Sequence, residues 1–174
     1  MNGNPPRNYY WDANIYFAWL LQESTHSAYL PAIDFAVREN IQRKIKIVTS
    51  AITRVEVTAL RLSSAQETQF QSTFRPGDHE IYDVDIAIAD KARGYCAYYM
   101  QHPQKHATKP NKTAILRVPD AIHLATAVII GADIFWTMDG GKKDGFSLLA
   151  LNGNVAGDRL SICRPKLPAG YLGI

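Results

Sequence analysis

What this chain lacks narrows its function first. It has only two cysteines, Cys96 and Cys163, far apart in sequence, so no disulfide framework holds it together. It opens with no charged leader followed by an apolar stretch and a small-residue cleavage site. The expectation is therefore a cytoplasmic protein with both thiols reduced and in the core. No uninterrupted apolar run exists: the longest, AIHLATAVIIGADIFW, is broken by His123, Gly131 and Asp133, and cannot span a bilayer. Charge of one sign is scarce too, since a net +3 does not by itself mark a nucleic-acid binder. Neither G-x-G-x-x-G nor G-x-x-x-x-G-K-[ST] occurs, which argues against a dinucleotide or P-loop nucleotide site. Internal repeats and low-complexity tracts are absent as well.

What is present is ordinary globular material. With 174 residues, 47% hydrophobic and 20% charged, the chain is one domain, 1–174, large enough for a substantial core. Residues 1–6 (MNGNPP) read as a loose terminus. Asn8 to Trp11 reads as a strand, followed by a helix to Gln22 that Asn14 can cap. A second helix starts near Pro31 with Ile33, Val37 and Ile41 on its face. Lys46 to Thr49 is a strand, and helices follow over Thr53–Leu62 and Ser64–Phe74. After the turn Arg75–Asp78 come a short strand, Ile81 to Val84, and a long helix capped by Asp85 with the stripe Ile88, Ala92, Tyr95, Tyr99. Residues 102–117 carry two prolines and read as an inserted, irregular loop. Asp120 to Ile130 is a helix stopped by Gly131, and strands are expected at Ile134–Met138 and Leu160–Cys163. Alternating strands and helices imply an α/β fold with a parallel sheet covered on both faces.

In such sheets ligands bind beyond the carboxyl ends of the strands. Four acids fall there: Asp12 and Asp139 directly after strands, Glu56 and Asp120 in first helical turns. Each has a plain structural explanation. Asp12 and Asp120 can cap or meet a helix dipole. Thr53-Arg54-Val55-Glu56 spells a capping box, and Ser63 and Ser64 begin a similar pattern with Glu67. Asp139-Gly140 is a common turn pair. Together they read differently. Like charges held at ~4 Å cost roughly 4 kcal/mol per pair at an effective dielectric near 20, so a fold gathers them only with a cation or with raised pKa values. Oxygen-only donors suit magnesium or manganese and phosphate chemistry. Asp144 is a candidate accessory. Asp133 falls on the far side of its strand and is excluded, and His123 is expected to pack or bond locally.

The segments YYWDANIY, VTSAITRVEV, VPDAIHLATA and FWTMDGG, in that order, resemble the motifs of PIN-domain ribonucleases. The resemblance runs from about Tyr9 to Pro165, and DAIHLATA followed by GAD, an aromatic pair and T-x-D is its most specific part. It implies a three-layer α/β/α fold with a parallel sheet of about five strands. It implies a catalytic, Mg2+- or Mn2+-binding quartet of Asp12, Glu56, Asp120 and Asp139, with Asn14 and Thr137 in support. Asp12 and Asp120 would touch the metal, and Glu56 and Asp139 would act through water. The activity implied is endoribonuclease hydrolysis of RNA phosphodiesters. Membership of the toxin subgroup would add an antitoxin partner and a homodimer. The chain is longer than a typical toxin of this kind, chiefly through 102–117 and the segment GGKKDGFSLLALNGNVAGD.

The inserted loop is basic. Lys105, Lys109, Lys112 and Arg117, with His102 and His106, stand without a single acid, so RNA binding is one reading and a solvated loop the other. From a different class comes a non-catalytic RNA-binding or scaffold domain, against which the complete quartet argues. A haloacid-dehalogenase-like phosphatase would want an aspartate where this chain has Asn14.

Overall fold

Strand β1 (Arg7–Trp11) comes first in the chain and ends up in the middle of the sheet. Its neighbours are β2 (Ile45–Ser50) and β6 (Ile134–Trp136), with β3 (Glu80–Tyr82) and β7 (Ile162–Cys163) at the edges, in the order β3-β2-β1-β6-β7. Every pairing in this sheet is parallel. The computed structural model describes residues 5–22, 24–58, 62–75, 77–106, 108–109, 111–141, 145–168 and 170–171. The helices are α1 (Ala13–Leu21), α2 (Leu30–Ile41), α3 (Ile52–Thr58), α4 (Ser64–Thr73), α5 (Ile86–Gln101) and α6 (Val118–Ile129). The fold is the three-layer α/β/α arrangement around a five-stranded parallel sheet.

The three inner strands are aromatic and aliphatic without a polar break because both faces are covered. Alternation then divides their side chains between two cores. Tyr10, Val48 and Phe135 point to the layer that holds α5 and α6, packing with Tyr95, Tyr99, Leu124 and Phe146. Trp11, Ile47 and Trp136 point to the other, with Ile15, Tyr16, Ile33 and Phe70 from α1, α2 and α4. Trp11 stacks on Trp136 (ring centroids 6.0 Å apart) and meets Trp19 edge-on at 6.4 Å. The indole N–H of Trp11 has no acceptor among the described residues.

Several local expectations hold. The α5 stripe Ile88, Ala92, Tyr95, Tyr99 is buried, and the Asp85 carboxylate accepts from the Ile88 amide at 2.8 Å. Gly131 ends α6 at φ 66°, while the Ala132 amide reaches back to the Ala127 carbonyl at 2.9 Å. Other expectations are corrected. In α2, Ile41 is 65% exposed, and the inward positions are Ala32, Ile33, Ala36 and Asn40. Asn40 belongs inside because its side-chain carbonyl accepts from the Ile47 amide at 2.8 Å. The capping box of α4 joins Ser63 to Gln66 rather than Glu67, because Gln66 occupies the third helical position. A 3-10 turn, Ser24–Tyr29, follows α1 and was not anticipated. Both cysteines are free thiols, but half-buried rather than in the core.

The 102–117 segment is not irregular throughout. It contains an antiparallel hairpin, β4 (Gln104–Lys105) with β5 (Thr113–Ala114). The hairpin is tied down: the Gln104 amide group bonds both backbone groups of Ser147, at 3.1 and 2.9 Å. Gly145 must be glycine here, since its φ is 87° and any side chain would collide with the His106 ring. Ala114 and Leu116 then enter the core. Residues 1–4 of the expected loose terminus, 59–61 of the expected third helix, and Pro76 in its turn lie outside the described residues. Among the described residues no helix is long and apolar enough to cross a membrane.

His79 is buried in an aromatic box of Trp11, Tyr16, Trp19 and Phe74, sharing a 3.1 Å hydrogen bond with the Tyr16 hydroxyl. Burial holds its pKa down to about 3. The folded state therefore stays neutral there while the unfolded chain takes up a proton below about pH 6.5. Stability is lost as pH falls from about 6.5 towards 3, by about 1.4 kcal/mol per pH unit. His79→Phe should remove this component. Urea unfolding of both proteins at pH 7 and pH 5 tests it: the wild type should lose more stability between the two conditions than the variant.

Candidate active site

Chain order places β1 and β6 side by side, although they come from opposite ends of the sequence. Between them the connections leave in opposite directions across the sheet, which opens a crevice at their carboxyl ends. Asp12 sits in that seam directly after Trp11, its amide donating to the Trp136 carbonyl at 3.3 Å. Only 2% of Asp12 is exposed. Its Oδ1 accepts from the Ile15 amide and its Oδ2 from the Asn14 side chain, both at 3.2 Å. Asp12, not Asn14, is thus the cap of α1, and Asn14 steadies Asp12. The reason is geometric: Asp12 is the last extended residue, and Asn14 is already inside the helix.

On the other side of the seam Thr137 is fully buried, and the Asp139 amide donates to its hydroxyl oxygen at 2.9 Å. The same hydroxyl lies near enough to Asp12 to help lower its pKa, so one threonine stands between the first acid and the last. The Asp139 carboxylate in turn accepts from the Gly141 amide at 2.8 Å, which sets the turn.

Glu56 is not engaged in the expected capping box. Thr53 already lies within α3, and its buried hydroxyl shares a 2.6 Å bond with Thr49, whose own hydroxyl donates to the Trp11 carbonyl. Glu56 Oε2 instead meets His123 Nε2 at 2.6 Å, and His123 Nδ1 meets the Tyr10 hydroxyl at 2.8 Å. His123 packs in the interior, as expected, but its hydrogen bonds are not local: both partners lie far off in sequence. Nothing in IHLATA signals this, because the partners arrive through the parallel sheet.

Asp120 enters from the first turn of α6, after Pro119. Burial pushes its pKa up to about 7, His123 opposes this, and Asp139, Asp12 and Glu56 each raise it further. Burial likewise raises Asp12 to about 6, against His123, Thr137 and the bonds from Asn14 and the Ile15 amide. Asp120 is therefore close enough to feel the other three acids.

Glu56, Asp120 and Asp139 line an open cavity of about 510 Å3, together with Asn14, while Asp12 lies buried at the seam. Arg117, Arg164 and His26 line the same cavity, with Phe17 and Tyr29; the Arg164 guanidinium lies close to Gly140, next to Asp139. Sequence reasoning missed Arg164, Phe17 and Tyr29. Arg164 follows the last residue of β7, and the pairing of Thr137 N–H to the Cys163 carbonyl (3.1 Å) sets it beside the seam. The signal available was the one used for Asp12, a polar residue directly after a strand.

Of the basic residues expected to bind RNA, Arg117 lines the acidic cavity. Lys105, on the hairpin, borders a separate cavity with Tyr98 and His102, and Lys109 and Lys112 are exposed near the hairpin tip. Asp133 lies at the amino ends of the strands, accepting from the Asn8 amide at 2.7 Å, well away from the acids. Asp144, Lys142 and Lys143 lie outside the described residues.

The donor set is oxygen-only and anionic, which fits a hard divalent cation such as Mg2+ or Mn2+. The carboxylates ring the cavity rather than forming a closed cage. Among the described residues no three His, Cys, Asp or Glu side chains converge as a metal-holding group.

Residues 9–144 match a family model described as PIN domain. A solved structure is also similar to this chain: the VapBC2 complex from Rickettsia felis bound to a DNA fragment from its promoter. It superposes with a TM-score of 0.60 at 12% identity, over 90% of this chain and 98% of that one. At that identity the likeness concerns the fold. No curated protein matches the chain.

The raised pKa of Asp120 has a consequence for stability without metal. Its folded value lies above the unfolded one near 4, so ionising it costs stability as pH rises through about 7. Asp120→Asn should therefore stabilise the metal-free protein at pH 8, by an order of 1–2 kcal/mol or roughly 2–8 °C. The gain should vanish by pH 4. Thermal melts in chelator at the two pH values check both the sign and the pH dependence.

Proposed function

The chain belongs to the PIN domain family, and on that premise we propose that it is a Mg2+- or Mn2+-dependent endoribonuclease. The observation that carries this reading is the raised pKa of Asp120. Burial is the largest cause, and three other carboxylates gathered at the carboxyl ends of β1 and β6 add to it. A fold gathers acids in this way to hold a cation. Asp12, Glu56, Asp120 and Asp139 would hold the ion, and the bound ion would supply an acidified water and neutralise charge on the scissile phosphate.

The chain's own residues do the rest. Asn14 and Thr137 orient the Asp12 carboxylate. Arg117 and Arg164, which line the same cavity as the acids, would take phosphates of a single strand in the planar two-point contact that guanidinium favours. Phe17 and Tyr29 offer ring faces to unstacked bases. The Lys105, Lys109 and Lys112 hairpin extends the positive surface away from the site.

The similar solved structure is a toxin–antitoxin complex. In keeping with it, we assign this chain a toxin role in the cytoplasm, with an antitoxin partner and a homodimeric state. The alternative, a non-catalytic RNA-binding or scaffold domain, draws on the open spacing of the carboxylates. The two readings differ in the effect of divalent ions on RNA.

Wild-type protein incubated with mixed RNA and Mn2+ should cleave it and leave 5′-phosphates, and should not do so in chelator. Asp120→Asn, which keeps the size and polarity of the side chain, should lower cleavage by at least about 100-fold while remaining folded (~2.7 kcal/mol in the barrier). An intact RNA pool with wild-type protein in Mn2+ would leave the binding reading in place.

RNA affinity measured on the inactive Asp120→Asn background separates the two basic regions. Arg164→Gln should weaken binding and flatten the slope of log affinity against log salt by about 0.7 for one lost phosphate contact. The triple change of Lys105, Lys109 and Lys112 to Ala should lower the slope by about 2 if the hairpin tracks the backbone. An unchanged slope would mark the hairpin as a solvated surface.

A further inference from the structure

The hydrogen-bonded chain Tyr10–His123–Glu56 joins three of the elements that carry the acids. Tyr10 is on β1, two residues before Asp12. His123 is on α6, one turn after Asp120. Glu56 is on α3. The two bonds measure 2.8 and 2.6 Å, and Tyr10 and His123 are both buried. Tyr10 is held in turn by stacking on Phe135 at 5.0 Å.

We infer that His123, keyed by Tyr10, is the positioning residue for Glu56: it fixes Oε2 so that Oε1 alone is presented to a divalent cation or its water.

The hydrogen bonds determine the roles. An ionised carboxylate only accepts, so Nε2 must carry the proton. In the neutral ring Nδ1 is then an acceptor and takes the Tyr10 hydroxyl proton. Neutral or charged, the ring is held by the Tyr10 bond so that Nε2–H faces Glu56, which is how outer partners usually orient the ligands of a metal. Glu56 lines the cavity, and among the described residues its Oε1 has no hydrogen-bond partner. Left to itself a glutamate has three rotatable bonds and would sample many positions. With Oε2 pinned from α6, the reach of Oε1 is set by the packing of α3 on α6. The arrangement favours one-oxygen ligation by Glu56 over a two-oxygen clamp, because the second oxygen is already engaged.

This inference rests on the metal-dependent reading above, and its test separates the two. Mn2+ is titrated into wild type, His123→Leu, His123→Gln and Tyr10→Phe while the thermal midpoint is followed, and cleavage is measured at each concentration. The wild type should be stabilised by Mn2+. His123→Leu should need about 10–100-fold more Mn2+ for half of the effect. His123→Gln, whose amide N–H can still reach Glu56, should recover to within a few-fold, and Tyr10→Phe should fall between. Cleavage should lose kcat with little change in KM for RNA, because the arginines of the cavity are untouched. A wild-type Mn2+ midpoint in His123→Leu overturns the inference and leaves the metal reading standing. A wild type indifferent to Mn2+ overturns both. Should His123→Leu fail to fold, the other two variants decide: Gln must hold the Mn2+ midpoint and Tyr10→Phe must shift it, and the reverse order overturns the inference.

Discussion

The parallel pairing of β1 with β6, which sets Trp11 against Trp136, is the constraint on which the rest depends. It joins the first strand of the chain to one more than a hundred residues later. That register places Asp12 and Thr137 at the same height on the sheet. The surrounding aromatic residues then bury Asp12, and burial is the largest cause of its raised pKa. Shifting the register by one residue would turn Tyr10 and Trp11 into each other's cores and separate the two halves of the site. Non-local pairing of this kind is slow to form.

The acids are thus held by the fold rather than by each other. Three of the four have a second attachment: Asp12 to the start of α1, Glu56 to His123, and Asp139 to the turn at Gly141. These bonds keep the carboxylates in place against their repulsion when no cation is present. They also spread the site over β1, α3, α6 and the end of β6, so a packing change in either core is transmitted to the cavity. The cations that line the same cavity come from other parts of the chain, Arg117 before α6 and Arg164 after β7.

Much of this was legible in the sequence because it is local. The α5 stripe follows from spacing, the Asp85 cap from an aspartate before an apolar run, and the sheet from alternating elements. Asp12 and Asp139 could be placed because they directly follow strands. What failed was competition settled by tertiary partners. Thr53 and Glu56 spell a capping box, but Thr49 claims the threonine and His123 the glutamate. Asn14 and Asp12 are both good caps, and only the backbone distinguishes them. Ile41 fits the helical period of α2, yet the helix turns Asn40 inward to bond β2. The 102–117 hairpin was hidden because its strands are two residues each and its anchor, Ser147, is remote.

The chain has three tryptophans in all. Trp11, Trp136 and Trp19 lie together on one side of the sheet, and two of them directly precede Asp12 and Thr137. Their emission is therefore a local optical signal, coupled through ring stacking and sensitive to whatever happens at the carboxyl ends of β1 and β6. It is nearly blind to the tyrosine-rich layer of α5 and the hairpin. Tryptophan fluorescence is accordingly a gauge of one face of the sheet, whereas tyrosine-region ellipticity draws on both, Tyr16 lying beside Trp11 and Tyr10, Tyr95 and Tyr99 in the other layer.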